Sequence, residues 1–301
     1  MILKDLVLAI ALAAALAFMP STARAQDTAQ QLNALVAEAD AATAAGRHHE
    51  AAKYLGQVLD LDLRDIERFE VRLMRANANL RAGEAKKAIG DWRGALDIGA
   101  ATPEQEDAIL HTIAQIWIEL NDLQAAEATL AEWPVPSPKS EAIAIRIAEK
   151  WIRRGNESRA AQFILPLIEQ GAPSHDALRV YLGLLLLDEN YPEIEAAIAR
   201  FPEQSANLLN DPDYDGEFAQ PILVSYPGQA ARSGREGSCT VYFDVSAKGR
   251  TQNISANCTD DAFSRRATNT VGEWLFLPKL VDGELAPRTR VDTEITYSLA
   301  N

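Results

Sequence analysis

From about residue 30 to residue 200, apolar residues recur three and four positions apart. Ile113, Ile116, Trp117, Leu120 and Leu123 show the spacing, which is the stripe of a helix burying one face. The rest of this stretch is rich in Ala, Leu, Glu and Gln, the better helix formers. The helices also repeat. A turn-permissive residue followed five positions later by Ala occurs at Gly46/Ala51, Gly83/Ala88, Asn121/Ala126 and Gly155/Ala160, with a looser fifth copy at Asn190 and Ala196. The turn residues lie 37, 38, 34 and 35 positions apart. Gly or Asn tolerates the left-handed backbone that closes one helix before the next begins, and a small Ala lets the second helix of a pair approach the first. One such pair cannot bury its apolar face alone, so neighbouring pairs are expected to stack.

Helix signals are expected to stop at Phe201-Pro202. The turn-rich, acidic run from Asn210 to Gly216 reads as a linker. Beyond it the period changes to two: Cys239, Val241, Phe243 and Val245 alternate with Thr240, Tyr242 and Asp244, the pattern of a half-buried strand. Ala247 to Arg250 supplies a turn, and Thr251 to Cys258 a return strand. Centring the hairpin on Lys248-Gly249 pairs Val245 with Gln252, Phe243 with Ile254, Val241 with Ala256 and Cys239 with Cys258. Directly opposed residues have Cβ atoms about 4.5–5.5 Å apart, close enough for a disulfide at a tight pair. Asp260-Asp261 caps an expected helix from about Ala262 to Trp274. Asp282-Gly283 makes a turn, and Arg288 to Leu299 reads as the last strand. The resulting division is a leader (1–25), helical repeats (26–202), a linker (203–219) and a C-terminal domain (220–301).

The helical part resembles the tetratricopeptide repeat, whose period is about 34 residues. The resemblance is in outline: the consensus second Ala survives as Ala95 but is Val58, Trp133 and Leu167 in other copies, and the stretch from Trp133 to Pro138 interrupts one connection. Such arrays present a face that binds peptide segments or partner domains; packing against the chain's own C-terminal domain is the competing use.

The C-terminal part carries a more specific resemblance. Tyr226-Pro227, Ala230, Gly234 and Gly237 are followed by Val241-x-Phe243-x-Val245 and Gly249, then Phe263 and Ala267, then Trp274-x-Phe276-x-Pro278 and Asp282-Gly283. This run is similar to the C-terminal domain of the TonB energy transducers. The resemblance implies turn roles for Gly237 and Gly249, and core roles for Tyr226 and Phe243. The expected fold class is α+β: an all-α tetratricopeptide-like solenoid, then a small α+β domain with a three-stranded antiparallel sheet. The family grips an extended segment of outer-membrane receptors by adding it to an exposed sheet edge. By analogy the edge here is the last strand, decorated by Arg288, Arg290, Asp292 and Glu294. Those charges equally serve ordinary protection of an exposed edge. The implied partners are cell-envelope proteins, an outer-membrane receptor segment among them, and strand exchange admits a homodimer.

Two parts of that family are missing, namely a motor-coupled membrane helix and a Pro-rich arm. Lys4, an apolar run from Leu6 to Phe18, Pro20 and Ala23-Arg24-Ala25 read as a signal peptide cleaved after Ala25. Thirteen residues reach roughly 20 Å, short of the roughly 30 Å hydrocarbon core. The expectation is a non-enzymatic periplasmic adaptor; the alternative is an inner-membrane-anchored energy transducer supporting transport.

Charge and chemistry refine this. Of the net −14, residues from Glu217 onward contribute −1 (nine Lys/Arg against ten Asp/Glu) and residues 1–25 contribute +1, so the helical part carries −14. That excludes a nucleic-acid footprint. An even cysteine count in an exported chain permits the Cys239–Cys258 bond. Adjacent His48 and His49 point to different helix faces, and His111 and His175 are isolated. No phosphate loop, nucleophile elbow or cysteine with a base is present, and the sequons at Asn253 and Asn257 go unused in a bacterial context. No catalytic residue, metal ligand or cofactor is expected.

Overall fold

The computed structural model describes residues 23–210 and 224–299. Most of the expected leader therefore lies outside the described residues, as does the linker from Asp211 onward. No helix among the described residues is long and apolar enough to cross a membrane. The chain forms two compact units, Met1–Ile143 and Ala144–Asn301.

The first unit holds α1 (Ala23–Ala44), α2 (His48–Leu59), α3 (Asp65–Arg81), α4 (Ala85–Leu96), α5 (Pro103–Glu119), α6 (Leu123–Leu130) and the start of α7 (Pro138–Arg153). The second continues α7 and adds α8 (Glu157–Glu169), α9 (His175–Leu187), α10 (Tyr191–Arg200) and α11 (Pro202–Leu209). Five helix pairs close in the same way. Gly46, Gly83, Asn121, Gly155 and Glu189 all have positive φ. After each, the next residue's N–H donates across the turn: Arg47 to Ala42 O, Glu84 to Asn79 O, Asp122 to Trp117 O, Asn156 to Trp151 O and Asn190 to Leu185 O, at 2.8–3.0 Å. This is the bond that a left-handed residue after a helix makes possible, and it leaves the same three-residue connection each time. The arrangement is consistent with the expected repeats.

The fifth copy differs from the sequence reading. Glu189, not Asn190, is left-handed (φ 52°), and the position five residues on is buried Ile194 while Ala196 is exposed. In the other four copies Ala51, Ala88, Ala126 and Ala160 are fully buried. Helices also continue past Phe201-Pro202. Pro202 opens α11, where its missing N–H is no loss, and Phe201, Leu208 and Leu209 are buried.

The Trp133–Pro138 stretch is a loop pinned from α5. Asp107 accepts bonds from Trp133 Nε1 (2.8 Å) and Ser137 Oγ (2.5 Å), and pairs with Lys139 Nζ (2.8 Å). Burial pushes its carboxyl up, but the bonds from Lys139, Ser137 and Trp133 outweigh that and hold it down at about 2.

The C-terminal elements are α12 (Gly228–Arg232), β1 (Gly237–Val245), β2 (Thr251–Cys258), a 3-10 turn at Asp261–Phe263, α13 (Ser264–Gly272), β3 (Lys279–Val281), β4 (Glu284–Ala286) and β5 (Arg288–Tyr297). The antiparallel sheet has the order β2-β1-β5. The β3–β4 hairpin around Asp282-Gly283 was not expected as strands: three residues a side are too few to show a period. The expected helix from Ala262 to Trp274 is a 3-10 turn followed by the shorter α13, which ends at Gly272.

Hairpin pairing follows the expected register from Cys239–Cys258 to Tyr242–Ser255 and then slips. Asp244 pairs with Gln252 and Val245 with Thr251, so the expected Val245–Gln252 and Phe243–Ile254 pairs are displaced. The cause is a bulge at Asn253, whose φ is +54°. Cys239 and Cys258 form a disulfide with Cα atoms 4.0 Å apart, nearer the spacing of a non-hydrogen-bonded pair.

Two cores meet along one extended segment. Trp274 and Phe276 join the sheet core with Val241, Phe243 and Phe263. Leu275, Leu277 and Leu280 point the other way, into a cluster with Leu178, Leu186, Leu208 and Leu209 of the helices. Each fully buried leucine contributes about 1.5–3 kcal/mol. The sheet is therefore held on α9–α11 by a shared core as well as by the chain joining them.

Candidate recognition edge of the C-terminal sheet

β5 pairs with β1 on one side, and among the described residues nothing pairs on its other side. Its inner face is anchored by Ile295 and Tyr297, both buried. The Tyr297 ring stacks on Phe263 (centroids 4.6 Å) and meets Tyr226 edge-on at 5.6 Å. Tyr226 donates its hydroxyl to Arg235 O, and Pro227 caps α12. Thus two motif aromatics fix the C-terminal end of the edge strand.

At its other end the strand is bulged. The register between β1 and β5 shifts between Phe243 and Val245, and Arg290 has φ +61°. Asp244 serves this bulge and the one in β2 at once. Its Oδ1 accepts the Arg290 backbone N–H (3.0 Å) and its Oδ2 accepts Asn253 Nδ2 (2.7 Å). The bonds from Asn253 and then Arg290 lower the Asp244 carboxyl below its ordinary value. In the sequence Asp244 counts only as a polar strand position and Asn253 only as part of a sequon, and neither by itself points to a bulge. Asn at a left-handed position is their only sequence signal.

The four expected edge residues do not act together. Asp292 and Glu294 are exposed, paired across from Tyr242 and Thr240, and share the face of the sheet that no described element covers. Arg290 sits at the bulge. Arg288 turns away: its Nε donates to Leu277 O (3.2 Å) and its Nη2 to Leu209 O. A cation there meets the carbonyl end of α11, a favourable place for positive charge.

The motif glycines divide in role. Gly249 takes φ +77° in the hairpin turn, and a Cβ there would fall 2.5 Å from Phe276 O, while its own carbonyl accepts the Phe276 N–H (2.9 Å). Gly237 is not a turn residue. It opens β1 with ordinary φ, and a Cβ would meet Thr259 Oγ1 at 2.7 Å and the Phe263 ring at 3.1 Å, so close approach demands it. Phe243 is buried against Phe276 (centroids 5.0 Å), and Pro278 is buried just before β3. The hairpin tip touches the helices as well: Arg250 pairs with Glu189 (2.6 Å) and Lys248 lies over the Tyr191 ring.

Residues 223–299 match the family described as Gram-negative bacterial TonB protein C-terminal. Comparison with curated proteins gives no match. These residues form a TonB C-terminal domain, a non-enzymatic protein-interaction module of cell-envelope proteins engaged in transport or protein binding.

Proposed function

We propose, with the TonB C-terminal domain as premise, that the chain is a non-enzymatic periplasmic adaptor that takes an extended segment of an envelope protein as an added strand on β5. The observation that carries this is the outer side of β5, unpaired among the described residues, with the strand anchored by buried Ile295 and Tyr297 at one end and set by the Arg290 bulge at the other. Backbone hydrogen bonds along such an edge supply affinity, and alternate side chains supply selection. Asp292 and Glu294 favour a partner segment with basic residues at matching positions. Arg288 contributes by joining the strand to α11 rather than by meeting the partner. The helical repeats carry the recognition domain and offer a second binding surface. Cys239–Cys258 suits an oxidising compartment, and cleavage after Ala25 releases the chain from the inner membrane.

The test is photo-crosslinking in the periplasm with the crosslinker placed at Glu294 on β5 or at Asn257 on β2. A discrete envelope-protein adduct from β5 and none from β2 is expected. Equal adducts from both strands, or none from β5, would refute the edge assignment. Intact mass of the exported chain separates the adaptor from a membrane-anchored transducer, which would retain residues 1–25.

A further inference from the structure

The first unit contains a polar cleft of about 570 Å³ between α2, α3 and α4. Its walls are built against the charge of their surroundings. Residues 26–216 carry a net −14, yet Lys53, Arg72, Arg75 and Lys87 all line this one cleft. The acid within it is Asp91, and that carboxylate is already spoken for. It is 5 % exposed and accepts from Arg75 Nε (3.0 Å), Arg75 Nη2 and Asn79 Nδ2 (2.9 Å), with Arg72 Nη1 at 3.8 Å. Lys87 has one exposed partner, Glu84 at 3.3 Å. Lys53 has no ionic partner among the described residues, and the buried Nε of Arg72 has no hydrogen-bond acceptor among them. One carboxylate thus orients two guanidinium groups and leaves positive charge over.

Glycine supports the same reading. It disfavours a helix interior, yet α4 holds both Gly90 and Gly94. A Cβ at Gly94 would lie 2.4 Å from Arg72 Nη1, so the bare backbone is what lets that guanidinium settle on α4. Gly90 lines the cleft with nothing within 4 Å of where its Cβ would be, which keeps the floor open.

We infer that this cleft binds an extended acidic peptide segment. Length favours a peptide over a single small anion. Arg72 to Asn79 spans seven residues of α3, roughly 10 Å at 1.5 Å per residue, which matches about three residues of extended chain at about 3.3 Å each. Lys53 and Lys87 come from the other two helices, so several carboxylates are met at separate points. The assignment is independent of the β5 edge.

The test uses the full chain and a fluorescein-labelled octaglutamate peptide, read by anisotropy. Saturable binding that weakens with added salt is expected, as for solvent-accessible charge pairs. The double charge reversal Lys53→Glu/Lys87→Glu, at exposed lysines, should weaken it by roughly tenfold or more. Gly94→Ala should also weaken it by displacing the Arg72 head while leaving thermal unfolding undiminished, which a merely structural role for Gly94 would not produce. The inference is overturned by absence of saturable binding, by unchanged affinity in both variants, or by full displacement with millimolar inorganic phosphate, which would mark a simple anion site.

Discussion

Replacing Cys239 and Cys258 by alanine removes the cross-link across the β1–β2 hairpin and leaves its apolar contacts nearly intact. The two positions are 19 residues apart. In the chain-entropy description, closing a loop of that size lowers the entropy of the unfolded chain by about 11 cal/mol/K, which is about 3 kcal/mol at 25 °C. Domains are commonly stable by only about 5–15 kcal/mol, so this is a sizeable share. The disulfide ties β1, the central strand, to β2, and β1 in turn carries β5; the loss is therefore felt by the whole sheet. With a urea slope of about 1–3 kcal/mol/M, the midpoint for the second unit should fall by about 1–3 M, with a slope equal to or slightly above that of the cross-linked chain because the unfolded state is less constrained. Hydrogen exchange read on β1 and β2 peptides across a urea series assigns the transition to this unit and keeps it apart from the first. Reducing the wild-type protein should reproduce the shift. A change under about 1 kcal/mol in both experiments would refute the reasoning, showing that the unfolded chain already holds the hairpin closed.

Asp107 makes the first unit sensitive to acid. Its folded carboxyl lies at about 2 against an ordinary 3.8, so the stabilisation is fully present above about pH 4 and is lost as pH falls toward 2. It amounts to about 2 kcal/mol, and the stability gap between wild type and Asp107→Asn, from urea unfolding, should narrow over that window. A gap independent of pH would contradict the Lys139, Ser137 and Trp133 network. At the hairpin turn, Gly249→Ala should destabilise by about 2–3 kcal/mol or more, against about 1–2 for Gly283→Ala, in thermal unfolding. Both positions have positive φ, but only at Gly249 would the new Cβ strike a backbone oxygen. Equal losses would remove the claimed contact with Phe276 O.

The features legible in the sequence are those where a residue type has few substitutes. Gly46, Gly83, Asn121 and Gly155 announced left-handed turns because little else adopts that backbone cheaply; Glu189 does so without announcing it. Alternation fixed which face each strand buries, and the cysteines fixed one end of the register. Neither could reveal the bulge at Asn253, since inserting one residue changes pairing without changing composition. Residues Trp274 to Leu277 carry no readable period because all four are apolar, and the expected helix simply ran up to the first of them. In the structure they are extended, with alternate residues feeding different cores, a distinction that exists only once α9–α11 are in place. Among the edge charges, Asp292 and Glu294 fall on an exposed face, whereas the destination of Arg288 depended on α11, a helix the sequence reading had replaced with linker.

The edge itself is tested most directly by amide hydrogen exchange on the full chain, with and without the partner segment identified by crosslinking. Strand addition predicts new protection confined to Arg288–Tyr297, with Thr251–Cys258 on the opposite edge unchanged. Protection appearing on β2, or β5 amides exchanging as fast with the segment as without it, would contradict the account.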